Sequence, residues 1–355
     1  MCPRRRSCRC SARLCADAAR AGVAPPAPSP PMAATSPENR ASAPAVASQA
    51  RNSHPDRGPA AALGFLGDLL EDVVVQHRSE VRADTDTPCV IRRRRGGSAA
   101  NAAVAAAGVL GPGRVRFFGQ VGQDGPGDRL LGELAAAGVQ PCVYRGGRSG
   151  TVVVLLGAGG ERTMLTDRGA CADFASFTPA WLEDLAMLHV AGYSLLSEPS
   201  RSVACEMIGA VRGAGGAVSV DACSVGAIRD TGIDAFRSTL TDIGAEVLLC
   251  DAGEAALLAA TGGHRRLADL VIVKDGARPT RLYGGGFDGE PVTPPSLGDV
   301  PDTTGAGDAF AGGLLAARLT GSAWPEATAA GQATAAAHLR SLMVPDENAQ
   351  LSQRC

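Results

Sequence analysis

The sequence predicts an α/β protein, a three-layer α/β/α sandwich carrying a small β-sheet lid. Three observations predict it. Short, continuous apolar runs recur between stretches of helical periodicity, two regions break that rhythm with paired strand-like segments, and a cluster of small residues opens a helix late in the chain.

Residues 1 to about 60 are rich in Ala, Pro, Ser and Arg and contain Pro25-Pro26-Ala27-Pro28 and Pro30-Pro31. Such a segment buries too little apolar surface to offset its chain entropy, so it is expected to be a disordered tail. It reads either as an Arg-rich leader or as translated sequence upstream of a start at Met32; the proline clusters, which break an amphipathic targeting helix, favour the second. The folded domain is expected over 61–345, with 346–355 as a short C-terminal tail.

Within that domain, Leu188–Ala191, Ala217–Val220, Val247–Cys250 and Leu270–Val273 are continuous runs rather than alternating ones. Strands buried on both faces read this way, and they imply a parallel sheet covered by helices. Val203, Met207 and Val211 recur at i, i+4 and i+8, which is the spacing of one helix face. Repeated βα units of this kind give a doubly wound layer fold. Val73–Val75 with Cys89–Ile91, and Thr151–Leu156 with Glu161–Thr166 across the turn Gly157-Ala158-Gly159-Gly160, read instead as antiparallel pairs. They are assigned to the lid, spanning about 73–95 and 142–168. A lid over a cleft excludes water from a transfer reaction.

The sharpest chemical feature is Asp302-Thr303-Thr304-Gly305-Ala306-Gly307-Asp308-Ala309-Phe310. Phe310, Leu314 and Ala317 continue at helical spacing, so the small residues stand where a helix begins. First-turn N–H groups have no intrahelical partner, and glycine lets an anion approach them closely. A carboxylate beside such an anion hole repels a phosphate and so calls for a purpose. Asp308 suits a base that takes the proton of an attacking hydroxyl, while Gly305, Ala306 and Gly307 hold the charge of a transferred phosphoryl group. A second cluster, Gly96-Gly97-Ser98-Ala99-Ala100-Asn101, precedes an Ala-rich helical stretch, and a third, Gly119 to Gly125, follows the strand-like Val115–Phe118.

Taken together, these motifs resemble the ribokinase-like (PfkB-type) carbohydrate kinases from about Leu63 to Leu339. The matches fall in order: Gly67 to Asp72, Gly96-Gly97 with Asn101, Gly119 to Gly127, Gly192-Tyr193, Asp251 to Glu254 and Asp302 to Asp308. The resemblance implies that Asp72, Gly96, Gly97 and Asn101 bind substrate hydroxyls and that Arg168 reaches the substrate or its acidic group. It implies Asp308 as base, with Lys274, Gly276 and Thr304 on the ATP side. Asp251 and Glu254 match an Asn-x-x-Glu element that holds Mg2+ through water, and Asp302 with Thr304 matches positions near K+ in members that use it. Two departures from the pattern stand out. Asp251 replaces the usual Asn, and Thr261–Leu270 is short of a helix that the family commonly has there.

The function expected is transfer of the γ-phosphoryl of Mg-ATP to a hydroxyl of a small sugar or sugar acid of the ribose, fructose or 2-keto-3-deoxygluconate type. The alternatives are a nucleoside kinase of the same fold, of adenosine or pseudouridine type, and a non-catalytic sugar or nucleotide sensor. Tyr144 is the one aromatic residue in the expected lid segments, which favours a sugar over a base-stacking substrate.

The net charge of -2 gives no bulk reason for a nucleic-acid or anionic-membrane partner. The run Arg92–Arg95 reads as a solvated strand edge that discourages pairing, or as a source of one arginine that steers an anion. No apolar stretch is long enough to span a membrane, and of eleven cysteines four lie in the tail and seven are scattered without CxxC pairs, which suits a reducing compartment. A cytoplasmic location is expected, and the open edges of the lid strands admit a homodimer through the lid.

Overall fold

The computed structural model describes residues 62–77, 79–157, 162–262, 267–298, 300 and 302–343. The expected tails at 1–60 and 346–355, and the turn residues 158–161, lie outside the described residues. All described residues belong to the unit His54–Cys355.

In chain order the elements are β1 (Ala62–Leu66), β2 (Leu70–His77), β3 (Cys89–Gly96), α1 (Ser98–Leu110), β4 (Val115–Val121), α2 (Gly125–Ala136), β5 (Val139–Arg145), β6 (Thr151–Leu156) and β7 (Arg162–Asp167). There follow β8 (Leu185–Ala191), α3 (Ser200–Gly213), β9 (Ala217–Asp221), α4 (Val225–Thr231), α5 (Ile233–Ile243), β10 (Ala245–Asp251), α6 (Ala252–Leu257) and β11 (Ala268–Lys274). Last come β12 (Thr280–Gly284), β13 (Phe287–Val292), α7 (Ala306–Leu319) and α8 (Trp324–Met343).

The large sheet has nine strands in the order β13-β12-β11-β10-β9-β8-β1-β4-β5. From β11 to β5 every pairing is parallel, and β12 and β13 add an antiparallel edge. The four continuous runs are the cores of β8, β9, β10 and β11, and their residues alternate between two cores. Leu248 and Cys250 pack with α3, α4, α5 and α6, whereas Val247 and Leu249 pack with α1, α2, α7 and α8. Val203, Met207 and Val211 of α3 all face the first core. Burial of each such side chain is worth about 1.5–3 kcal/mol relative to exposure, and this fixes the helical layer.

The second sheet has four strands in the order β3-β2-β6-β7. Its hairpins are the two expected antiparallel pairs, joined by a parallel pairing of β2 with β6. One correction concerns its extent. Residues 142–145 lie on β5, which pairs in parallel with β4 in the large sheet, so that stretch and Tyr144 do not belong to the small sheet. As an edge strand β5 is covered unevenly, and its mixed pattern of apolar and polar residues imitates a lid strand. Tyr144 instead leans on Trp181 and shares a hydrogen bond with Thr178.

The arginine run sits on β3, an edge of the small sheet, as expected; Arg92 and Arg93 are exposed there, while Arg94 and Arg95 are half-buried and engaged. Arg93 pairs with Glu71, Arg94 lies between Asp72 and Asp302, and Arg95 donates to Asn101 Oδ1. Between β10 and β11, the six-residue α6 is the one helix among the described residues, in keeping with the expected shortness. No described helix is long and apolar enough to cross a membrane.

Candidate active site

The carboxyl ends of the parallel strands deliver a charged cluster, as open α/β sheets do. Asp221 ends β9, Asp251 ends β10 and Lys274 ends β11. Opposite them the loop 302–305 turns into α7. Gly305 is its N-cap at φ 77, in the left-handed region that favours glycine, and Asp308 is the third helical residue.

Asp308 is held from α1. Asn101 Nδ2 donates to Asp308 Oδ2 at 3.1 Å. The contact depends on close helix packing, because a Cβ at Gly312 would lie 2.3 Å from the Ala102 carbonyl oxygen. Glycine on α7 therefore lets α1 approach near enough for Asn101 to reach. Burial raises the Asp308 pKa to about 6; the Asn101 and Ser98 hydrogen bonds and Lys274 oppose the rise, and Asp221 reinforces it. The carboxylate is thus poised to exchange a proton near neutrality.

Lys274 forms a 2.6 Å pair with Asp221 Oδ2, with side chains 17% and 18% exposed. Burial works against its charge, yet Asp221, Glu254 and Asp308 together hold its pKa above the ordinary lysine value. A Cβ on Gly307 would lie 3.5 Å from Lys274 Nζ, so the ammonium group stands directly at the start of α7. Asp221 belongs to none of the motifs legible in the sequence. Its signal is positional, a carboxylate at the end of a buried parallel strand.

Two cavities flank this helix start. One, of about 480 Å³, has Lys274, Gly276, Ala306 and Gly307 at its polar end and Pro294, Leu297, Ala336 and Leu339 among its apolar walls. The other, of about 570 Å³, is lined by Asp72, Arg94, Asn101, Thr304 and Gly305. The two glycines before α1 have a packing reason. A Cβ on Gly96 would meet Asp72 Oδ1 at 2.0 Å, and one on Gly97, at φ 100, would meet the Asp68 carbonyl oxygen at 2.1 Å. They seat Asp72 against the start of α1. Desolvation raises the Asp72 pKa, and Arg94 counters it.

Arg168 comes to the same end of the sheet, but Asp68 takes its Nε and Nη2 in a bidentate pair at 2.8 Å each. Only Nη1 lies outside that pair. Asp68 and Tyr193 lie inside the Gly67 to Asp72 and Gly192-Tyr193 matches, which assigned neither a role; Tyr193 follows β8 and lies within electrostatic reach of Asp308.

Asp251 and Glu254 form a capping box at the start of α6. Glu254 N donates to Asp251 Oδ1 at 2.7 Å, and Asp251 N donates to Glu254 Oε2 at 2.8 Å. Desolvation, with Asp221 adding to it, raises the Glu254 pKa to about 7. Among the described residues no three His, Cys, Asp or Glu side chains converge as a direct metal cage. Two carboxylates fixed by their own capping box would suit a Mg2+ held through water and not by direct ligation.

Around Asp302 the situation differs. Thr304 N donates to Asp302 Oδ1 at 2.9 Å, and Arg162 and Arg94 lie 3.7 and 3.6 Å from its two oxygens. Arg162 also donates to Thr304 Oγ1 at 2.5 Å, and His338 Nε2 donates to the Thr304 carbonyl at 2.9 Å.

A parallel-sheet α/β domain with a small second sheet, and with a carboxylate, a lysine and an open helix start between two cavities, defines a phosphotransferase acting on hydroxyl groups. The chain belongs to the PfkB family of carbohydrate kinases, whose family model matches residues 66–344. It is 31% identical over 252 residues to an adenosine kinase of Saccharomyces cerevisiae, covering 64% of this chain and 72% of that one. To a fructokinase of Vibrio alginolyticus it is 34% identical over 247 residues, covering 62% and 75%. Among solved structures it resembles an adenosine kinase from Sinorhizobium meliloti (TM-score 0.66, 21% identity, 78% of this chain and 93% of that one). A protein of E. coli described as a ribokinase II, solved with ATP and Mg2+, matches similarly (TM-score 0.66, 24% identity, 78% and 92%).

Proposed function

We propose that this chain transfers the γ-phosphoryl group of Mg-ATP to a hydroxyl of a small sugar or sugar acid, with Asp308 as the base. The observation that carries this reading is the convergence of the Asp308 carboxylate, held by Asn101, with Lys274 at the start of α7. The 480 Å³ cavity beside Lys274 and Gly276 takes the nucleotide, and its apolar walls suit a purine. The acceptor enters on the side of Asp72 and Asn101.

In the reaction Asp308 takes the hydroxyl proton as the acceptor oxygen bonds to the γ-phosphorus. The bond from that phosphorus to the β,γ-bridging oxygen breaks, and ADP leaves. The N–H groups of Gly305 and Gly307 and the Lys274 ammonium bear the charge on the equatorial oxygens. The expected third donor, the Ala306 N–H, already donates to the Thr303 carbonyl at 3.3 Å. Asp251 and Glu254 would hold Mg2+ through water, and the ion would supply neutralisation of phosphate charge. The small sheet acts as the lid, its Asp72 face turned to the acceptor.

The described strands of the small sheet contain no Phe, Tyr or Trp, which supports a sugar over a nucleoside. Tyr193, an aromatic residue within electrostatic reach of Asp308, is the observation that favours the nucleoside reading. The strand registers align Val73, Val75, Ile91, Val153, Leu155 and Leu165 on the opposite face of the small sheet, and Ile91 and Leu165 are 58% and 56% exposed. This supports a homodimer through the lid.

The test is ADP release from ATP with a panel of ribose, fructose, 2-keto-3-deoxygluconate, adenosine and pseudouridine. Turnover of a sugar is expected. Turnover of nucleosides alone moves the assignment to the second reading, and ATP binding without any turnover leaves a sensor.

A further inference from the structure

In the loop that precedes α7 the Asp302 carboxylate and the Thr304 hydroxyl and carbonyl are oxygens of a kind that hold a monovalent cation, yet each of these three groups already faces a nitrogen donor. The Asp302 carboxylate accepts from Thr304 N and lies between the guanidinium groups of Arg94 and Arg162. The Thr304 hydroxyl oxygen accepts from Arg162, and the Thr304 carbonyl accepts from His338 Nε2. Arg162 Nη2 also reaches Thr303 Oγ1 at 3.4 Å. A cation placed here would share three oxygens that already accept hydrogen bonds and would sit against the positive charges of Arg94 and Arg162. K+ does not fit this donor set.

The two arginines come from opposite edges of the small sheet. Arg94 is on β3 and Arg162 is the first residue of β7, with β2 and β6 between them. Registers place both on the face that carries Asp72: Arg94 pairs with Asp72, Asp72 with Val152, and Arg162 with Leu156 four residues along β6. The sheet therefore straddles Asp302 with one guanidinium on each side. Arg94 lies 3.6 Å from Asp72 as well, which links the acceptor side of the cleft to the same carboxylate.

We propose that Arg94 and Arg162 take the place of a monovalent cation at Asp302, so that the charge which steadies the start of the anion hole arrives with the lid and not from solution. Resting on the kinase reading, this makes Arg162 a positioning residue. It acts on the Gly305–Gly307 turn through Thr303 and Thr304, and it is in place only when β7 lies over the loop. Turnover then needs no K+, and closure of the small sheet sets the anion hole.

The experiment compares KCl, NaCl and choline chloride at equal ionic strength, reading ADP release and, separately, the melting temperature of the full chain. Wild-type activity is expected to agree across the three salts within about twofold, and the melting temperature is expected to move equally in each. Activation specific to K+, or a melting temperature raised by K+ alone, would overturn the proposal. Arg162→Met uncovers Asp302 and Thr304. This variant should lose about tenfold in kcat and acquire a melting temperature that responds to K+ over choline, whereas Arg162→Lys, which keeps one positive charge, should stay indifferent. An Arg162→Met protein with wild-type kcat and no salt preference would overturn it too. The melting readings need no turnover, so a chain that phosphorylates nothing refutes the kinase reading while its response to K+ still decides whether the arginines stand in for the cation.

Discussion

Replacing the base by its uncharged isostere should stabilise the folded chain while disabling it. In Asp308→Asn the side chain keeps an oxygen to accept from Asn101 Nδ2, but the charge beside Asp221 is gone. Burial lifts the Asp308 pKa from an ordinary 3.8 to about 6. That gap corresponds to about 3 kcal/mol, at roughly 1.4 kcal/mol per tenfold change in proton affinity. The residue keeps some exposure to solvent, and screening reduces the figure to about 1–2 kcal/mol. The folded value lies above the unfolded one, so the stability Asp308 contributes is fully present below about pH 4 and is lost as pH rises through about 6. The Asn variant suffers no such loss. Thermal unfolding should show the two proteins matched near pH 4 and the variant higher by about 2–5 °C near pH 8. Glu254, also raised, is common to both and cancels. A variant no more stable than its parent near pH 8, or a difference unchanged between the two pH values, refutes the placement of a desolvated charge at this helix start.

The pH dependence of turnover should carry the same group. As Asp308 protonates below about 6, log kcat falls with unit slope, and a profile flat down to about pH 5 points to a different base. Lys274→Met strands Asp221 among carboxylates and should cost about 3–5 kcal/mol in urea unfolding, with Lys274→Met/Asp221→Asn recovering most of it. A single variant as stable as wild type would show the pair to be solvated. Gly97→Ala forces a Cβ to within 2.1 Å of a carbonyl oxygen at φ 100 and should cost about 3 kcal/mol or more. Gly108→Ala in α1, where a Cβ meets nothing, should gain about 0.5–1 kcal/mol. Equal melting temperatures for these two alanine variants would contradict the close approach of Gly97 to Asp68.

The layers and the strand runs of this fold were legible because buried parallel strands such as Val247–Cys250 leave no polar positions, and helix faces such as Val203, Met207 and Val211 repeat at fixed spacing. The start of α7 was legible because its glycines cluster in sequence. Asp221, Asp68 and Arg162 were not. Each acts across a long sequence separation, Arg162 on Thr304 and Asp68 on Arg168, and no local spacing encodes which distant side chain closes an ion pair. The same limit explains Arg94 and Arg95, which Asp72, Asp302 and Asn101 engage, while Arg92 and Arg93 stay exposed at the edge as composition suggested. The place of Tyr144 is illegible for another reason. An edge strand of the large sheet alternates much as a lid strand does, and only the pairing of β5 with β4 tells them apart.

The proposed chemistry stands or falls with Asp308 removing the proton of the attacking hydroxyl in front of the α7 anion hole. Its sharpest test is the single-turnover rate of γ-phosphoryl transfer by Asp308→Asn at saturating ATP and acceptor, with nucleotide affinity measured alongside. A rate lower by about 10²–10⁴-fold, with ATP binding retained, is expected. Phosphoryl transfer at the wild-type rate in that variant would contradict the assignment of Asp308 as the base.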